Sequence, residues 1–357
     1  MGAEEAAGVA LVCALAQTAA GDEGRAAVLR TEHLMKVCGL SRAELTAQMA
    51  RLRDLGLVLQ GTEESGYILA SSLADMVIAE AVLPALLPHL DISRGWVVGL
   101  PYCYHERCVS TNVLLKREAS TCPAGKVMVT DEQTGGRGRL GRSWWSQAGK
   151  DITFSLLLRP DIGLAQVPLL SLAAALAVAE ALETLPGLAG RVQVKWPNDV
   201  LVDGRKVCGV LPESSLMGER LDWVVVGVGL NVNSDPARLT EGLSAEQRAE
   251  WKGKAEPTSL RQALGQKVPR ASLLAFLLWY LDRRLSELDV DDLVAGLRTR
   301  DALLGQEIQV YDGLSEERTA VTGKAAGIGA GGELLVTEDG GRTMRVMAGE
   351  VTVRTIS

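Results

Sequence analysis

The chain has 357 residues, 47% hydrophobic and 23% charged, which is the composition of a folded protein long enough for two or three domains. Its 37 Lys and Arg against 44 Asp and Glu leave a net charge of −7, which excludes a chain-wide polyelectrolyte partner for nucleic acid or acidic membrane and makes any anion site local. Six dispersed cysteines, none in a Cys-x-x-Cys pair, exclude a disulfide-stapled scaffold or zinc ribbon and point to reduced thiols in a cytoplasm.

The N-terminal stretch "MGAEEAAGVALVCALAQTAAGDEG" carries Glu4 and Glu5 where a signal peptide carries positive charge, so it reads as a first helix. Residues 31–69 then give a short helix, the turn Cys38-Gly39-Leu40, and a second helix N-capped by Ser41 with Glu44 at the capping-box position. Leu45, Met49, Leu52 and Leu55 form that helix's apolar stripe, and "LVLQGTEESGYIL" follows as a hairpin, which makes a winged helix-turn-helix. Such a fold offers operator DNA a docking surface, but residues 1–90 carry a net −5 and Glu63-Glu64 stand at the wing tip, so charge opposes phosphate contact.

From Trp96 onward, apolar runs alternate with helical stretches. "WVVGL" reads as a strand, "STNVLLKREA" as a helix capped by Ser110, "KVMVTDEQ" and "DITFSLLLRP" as strands. The longest apolar stretch, Val167 to Ala179, is interrupted by Ser171 and ends at Glu180, too short for a membrane span, and is expected to be a buried helix. "RVQVKW", the strand pair folded at Asp203-Gly204, and "LDWVVVGVGLNVN" complete a mixed sheet, with "ASLLAFLLWYLDRRLSEL" as a second long helix. Residues 234–258 read as a polar surface insertion, and the five short β segments from Ala302 onward as a small barrel. The fold class is therefore α+β, with units at 1–92, 93–298 and 299–357.

Between Asp131 and Trp145 the sequence "DEQTGGRGRLGRSWW" interleaves four glycines with Arg137, Arg139 and Arg142. It lacks the Gly-Lys-Ser/Thr of a nucleotide P-loop and the strand-to-helix setting of a dinucleotide fingerprint. Glycines let the backbone approach a ligand, and regularly spaced arginines present forked donors to phosphate or carboxylate oxygens. Trp144 and Trp145, read as adjacent to the next strand, should face opposite ways, one into the core and one toward a flat ligand. "VKWPNDVLVDGRKVCGV" adds Lys195, Trp196, Asn198, Asp199 and Lys206, of which a lysine can stabilise charge developing on phosphate or carboxylate. Cys103, His105 and Cys108 in "CYHERC" lack a second ligand pair at metal spacing, so they read as strand and loop thiols and no metal site is expected.

Taken together, "STN", "EQTGGRGRLGRSWWS", "KWPNDVLVDGRKVCGVLPE" and "VGVGLNVN", in this order and spacing, closely resemble the biotin protein ligases, in their two-function ligase/repressor branch. The resemblance implies a catalytic domain related to class II aminoacyl-tRNA synthetases, followed by a C-terminal SH3-like barrel. It further implies that biotin and ATP, with Mg2+, give biotinyl-5′-AMP, from which biotin passes to a lysine of a biotin carrier protein, a carboxylase subunit. By motif, Ser110, Thr111, Asn112 and Gln133 would line the ureido and valeryl end of the biotin pocket. Gly136, Arg137, Gly138 and Arg139 would meet the carboxylate and phosphate, with Arg139 also catalytic, and Trp144 would pack on the ligand. Lys206 would bridge carboxylate and α-phosphate as the first catalytic residue, while Arg142, Asn198, Asn231 and Arg354 would lie on the nucleotide side. Leu140 departs from a position where arginine is common. The resemblance also implies a homodimer and operator binding, and the alternative reading is a biotin-responsive transcription regulator with little ligase activity.

Overall fold

The computed structural model describes residues 3–19, 28–237, 255–311, 319–347 and 349–353. At the N-terminus, α1 (Ala3–Ala19), α2 (Thr31–Cys38) and α3 (Arg42–Asp54) precede the antiparallel hairpin β1 (Leu59–Thr62) and β2 (Gly66–Leu69). Gly39, at φ 67°, ends α2 in the left-handed region, and α3 opens on the expected capping box, Ser41 and Glu44 each satisfying the other's backbone N–H. Leu45, Met49 and Leu52 pack with Leu11, Leu15, Leu34 and the hairpin residues Leu59, Tyr67 and Leu69 in a core of their own. Arg42, the first residue of α3, is held by Glu63 of the hairpin tip and lies 3.7 Å from Glu32.

After α4 (Ala79–Leu86), the chain builds a seven-stranded sheet in the order β3-β4-β5-β9-β8-β7-β6. These strands are β3 (Tyr102–Cys108), β4 (Val127–Gln133), β5 (Ile152–Leu158), β6 (Val192–Lys195), β7 (Asp199–Val202), β8 (Arg205–Met217) and β9 (Arg220–Leu230). Only β3 and β4 pair in parallel, because α5 (Thr111–Glu118) crosses between them, while β7 and β8 join through Asp203-Gly204, both at positive φ as a tight hairpin requires. Strand alternation splits the sheet's two faces. Val224, Val226 and Val228 enter the main core, whereas Val225 joins Leu115, Ala119, Met128 and Leu157 beneath α5. Because α5 is short, the rest of that second face is left open, and there lie Gly227 and Gly229.

The main-core face is covered by α6 (Val167–Glu183), buried without a break from Leu169 to Ala179. With the preceding 3-10 turn its helical stretch reaches 20 residues, long and apolar enough by composition to cross a membrane, so length alone does not distinguish it. Its apolar surface is instead taken up by the sheet and by a second long helix, Arg270–Leu285, next to which Val290–Arg298 also packs. Five antiparallel strands close the chain in the order β13-β12-β11-β10-β14, namely β10 (Glu307–Tyr311), β11 (Thr319–Ile328), β12 (Leu334–Thr337), β13 (Thr343–Val346) and β14 (Glu350–Val353). Their Ile308, Val310, Leu334, Val336 and Val351 are continuous with the main core, and Trp196 Nε1 donates to the Gly332 carbonyl at 3.1 Å.

Three local expectations change. "WVVGL" is buried but not a strand: Gly99 at φ 105° and the following Pro101 turn the chain there, and the edge strand begins at Tyr102. Ser110 occupies the N-cap of α5 without capping it through its side chain. Trp144 and Trp145 are separated from β5 by a turn, so strand alternation does not govern them. Cys103, His105 and Cys108 lie on β3, where Cys103 and Cys108, five residues apart, fall on opposite faces.

Candidate active site

A cleft of about 220 Å³ opens on the uncovered sheet face, and it gathers nearly every residue singled out by sequence. Ser110, Thr111, Asn112, Gln133, Arg137, Gly138, Arg139, Arg142, Trp144, Asn198, Lys206 and Asn231 all line it. Arg354 lies outside the described residues.

At the closed end, the parallel register Cys108↔Gln133 brings the end of β4 alongside the start of α5. Gln133 Oε1 accepts from Thr111 N at 2.9 Å and its hydroxyl at 3.3 Å, supplying the cap that Ser110 does not. Asn112 Nδ2 donates to the Leu211 carbonyl at 3.2 Å and to Glu213 Oε2 at 2.8 Å, while its Oδ1 accepts from the Ser155 hydroxyl. Both amide hydrogens are thus committed inside the protein, which fixes the orientation of the Asn112 amide at this end of the cleft. Burial raises the Glu213 carboxyl, but hydrogen bonds from Lys116 and Asn112 outweigh it and hold the group below the usual glutamate value. A Cβ at Gly227 would stand 2.2 Å from Asn112 Oδ1, which is why glycine occupies that strand position.

The glycine-arginine segment folds back on itself. Gly138 N donates to the Arg142 carbonyl at 2.7 Å, Trp144 N donates to the Gly136 carbonyl at 2.9 Å, and Arg137 bridges Ser143. Gly136 does not line the cleft but lets the returning strand approach, since a Cβ there would lie 2.5 Å from the Trp144 carbonyl. At the tip, Leu140 takes a left-handed φ of 57°, uncommon for a branched side chain. The Arg139 guanidinium reaches out of the segment, donating to Asn198 Oδ1 at 3.3 Å and to the Gly349 carbonyl at 3.1 Å, so it ties the loop to the Pro197 turn and the C-terminal sheet.

Neither tryptophan is core: Trp145 is 44% exposed at the rim, whereas Trp144 lies across the sheet glycines. A Cβ at Gly229 would come 2.3 Å from its indole and one at Gly209 3.0 Å, and its Nε1 is buried with no acceptor among the described residues. Lys206 Nζ stands 5.7 Å from the centroid of that ring and 2.6 Å from Asp199 Oδ1, held between a π face and a carboxylate. Asn198 Nδ2 donates to the Val210 carbonyl at 2.8 Å and Asn231 Nδ2 to the Thr258 carbonyl at 3.0 Å, fixing both amides at the floor. Lys195, 7% exposed, adds a further cation there.

Sequence reasoning missed Ser155, Gly209, Gly227 and Gly229. The glycines had a readable signal: "VGVGL" places two glycines on one face of a strand, where they weaken the sheet unless something approaches closely. Ser155, inside the apolar run of β5, gave none.

The cleft therefore offers a polar closed end, a cationic middle and an aromatic lid over glycines, which suits a ligand neutral at one end and anionic at the other. Residues 104–231 match the model of the biotin/lipoate A/B protein ligase family. The bifunctional ligase/repressor BirA of Bacillus subtilis is 34% identical over 250 residues, covering 69% of this chain and 70% of that protein. The biotin–[acetyl-CoA-carboxylase] ligase of Paracoccus denitrificans is 34% identical over 249 residues, covering 69% of this chain and 97% of its own length. A biotin protein ligase from Aquifex aeolicus, solved with biotin and ATP, superposes with a TM-score of 0.57 at 30% identity over 71% of this chain and 98% of that one. From the loop, the cleft and these relatives together, the chain belongs to the biotin protein ligase family.

Proposed function

We propose that the protein is an ATP-dependent biotin protein ligase that forms biotinyl-5′-AMP and transfers biotin to a lysine of a biotin carrier protein. The observation that carries this reading is the convergence on one cleft of the Asn112 and Gln133 end with Arg137, Arg139, Arg142, Lys195 and Lys206. ATP enters as its magnesium complex, as a substrate. A carboxylate oxygen of biotin attacks the α-phosphorus and the bond to pyrophosphate breaks, so charge leaves the carboxylate, builds on the α-phosphoryl oxygens and passes to the leaving pyrophosphate. Lys206 and Arg139 would offset that charge, Asp199 keeping the Lys206 ammonium oriented until the substrates compete for it. In the second step the carrier lysine amine attacks the adenylate carbonyl and AMP leaves. Arg137 and Gly138 with Trp144 would cover the mixed anhydride and exclude water, Gly136 shaping the segment that carries them, while Arg142, Asn198, Asn231 and Arg354 would take the nucleotide side.

The architecture proposed with this activity is a winged helix-turn-helix over 1–92, a catalytic domain like class II aminoacyl-tRNA synthetases over 93–298, and an SH3-like barrel over 299–357, in a cytoplasmic homodimer. Purified full-length protein with biotin, MgATP and a carrier domain is expected to add one biotin to the carrier lysine and release AMP and pyrophosphate, measured by mass spectrometry. Absence of both adenylate and product at saturating substrates would sink the reading.

Operator binding through residues 31–69 is the second reading, supported by the helix-turn-helix and by the repressor role in the B. subtilis relative's name. The engagement of Arg42 by Glu63 and Glu32 weighs against strong phosphate contact. Salt-dependent retention of the chain's own promoter DNA, with and without biotin and MgATP, decides it.

A further inference from the structure

One guanidinium outside the cleft holds both ends of the glycine-arginine segment. Arg270 opens the helix Arg270–Leu285 and is 3% exposed. Its Nη1 pairs with the Asp131 carboxylate on β4 and donates to the Asp151 carbonyl at 3.0 Å, and its Nη2 donates to the Asp75 carbonyl in the segment between β2 and α4. Asp131 lies two residues before Gln133, and Asp151 immediately precedes β5, so these two contacts bracket the whole segment.

Each anchor passes the constraint on. Asp131 Oδ2 accepts from the Tyr104 hydroxyl at 2.7 Å, and the Asp131 carbonyl accepts from Gly149 N at 3.2 Å, joining the start of the segment to its end. The Asp151 carboxylate accepts from Gln147 N and from Val232 N, both at 2.9 Å, which extends the hold to the residue after Asn231. A buried ion pair is weak evidence of stabilisation, because apolar residues of similar volume often serve a core equally well. What the contacts do supply is geometry, since one guanidinium fixes three separate segments relative to one another.

We propose that Arg270 is a positioning residue for ligation: it fixes the two feet of the glycine-arginine loop so that Arg137, Arg139 and Arg142 can close over the cleft. This rests on the ligase reading. Loosening the feet removes no ligand-facing group but lets the segment that carries three of them move, so its signature is poorer retention of biotin and ATP rather than slower chemistry once they are bound and the segment has closed.

The test uses the full chain carrying Arg270→Lys or Asp131→Asn. Trypsin cleaves after arginine, so the rate of cutting at Arg137, Arg139 and Arg142, read by fragment mass, reports loop closure without reference to activity. With either variant we expect loop cleavage about tenfold faster and KM for biotin about tenfold higher, with kcat at saturation within about twofold of wild type. Wild-type cleavage and KM in both variants, with or without a lower Tm, would overturn the proposal and leave Arg270 a structural residue. If Arg270→Lys does not fold, Asp131→Asn decides alone, since it keeps an acceptor for Tyr104. A wild-type protein that neither ligates biotin nor gains protease protection from biotin and MgATP refutes the ligase reading instead, and cleavage rates without ligand still decide the anchoring.

Discussion

Lys206 and Trp144 carry the sharpest expectations at the scale of single residues. The Lys206 side chain is 30% exposed, so removing its charge should not unfold the protein. Lys206→Met is expected to lower adenylate formation by about 10²–10³-fold with Tm unchanged, as measured by biotin-dependent pyrophosphate exchange. Near-normal exchange would remove the lysine from the chemistry. Gly229→Ala places a methyl where the Trp144 ring now rests, so the indole must leave the sheet. A rise in KM for biotin with a changed tryptophan emission is expected, and unchanged values for both would show that the ring's seat is unimportant. That the loop arginines gather at a cleft was legible because cations recurring among glycines are rarely a packing solution, whereas Lys206 was singled out through the motif resemblance, a strand-end lysine by itself being an ordinary surface charge. Arg270 was not, since a lone arginine after a proline carries no local pattern and its three partners are distant in sequence.

Among elements, α5 shows how a short helix can organise a pocket. Its first residues face the cleft, Leu115 and the C-cap Ala119 fill the small core beneath, and Lys116 reaches Glu213 on β8. Because the folded Glu213 carboxyl titrates below its ordinary value of 4.5, the link adds stability above pH 4.5 that is lost as pH falls below it. Glu213→Gln should therefore flatten the fall in urea midpoint on acidification below pH 4.5, and an unaltered slope would show that this carboxylate does not contribute. The turn between α2 and α3 was readable because its chemistry is local: a left-handed glycine, then a reciprocal cap. "WVVGL" misled because its hydrophobicity reports burial while Gly99 and Pro101 decide its shape. The helix Ala79–Leu86, absent from the sequence reading, holds Pro84 inside it, yet its Val82, Leu83 and Leu86 are fully buried, and that packing outweighs the lost backbone bond.

For the molecule as a whole, one core runs from α4 through the seven-stranded sheet into the C-terminal strands. The C-terminal sheet should therefore not unfold separately. Fluorescence of Trp196, isolated in a variant with the other tryptophans replaced by phenylalanine, is expected to change at the same denaturant midpoint as far-UV circular dichroism. An earlier fluorescence transition would separate the two units. The order of elements could be read from hydrophobic period and turn residues, but how the units share a core could not, because that depends on contacts far apart in the chain. The same holds for Arg139, whose fork reaches the C-terminal sheet through the carbonyl of Gly349. The acceptor is a main-chain oxygen, yet the position that presents it is constrained: Gly349 sits at φ 154°, and a Cβ there would stand 2.7 Å from the Tyr311 carbonyl. The loop's far handhold thus reads no side chain on the C-terminal sheet and hangs on one small residue, so that a single added methyl group at position 349 would be felt in the cleft.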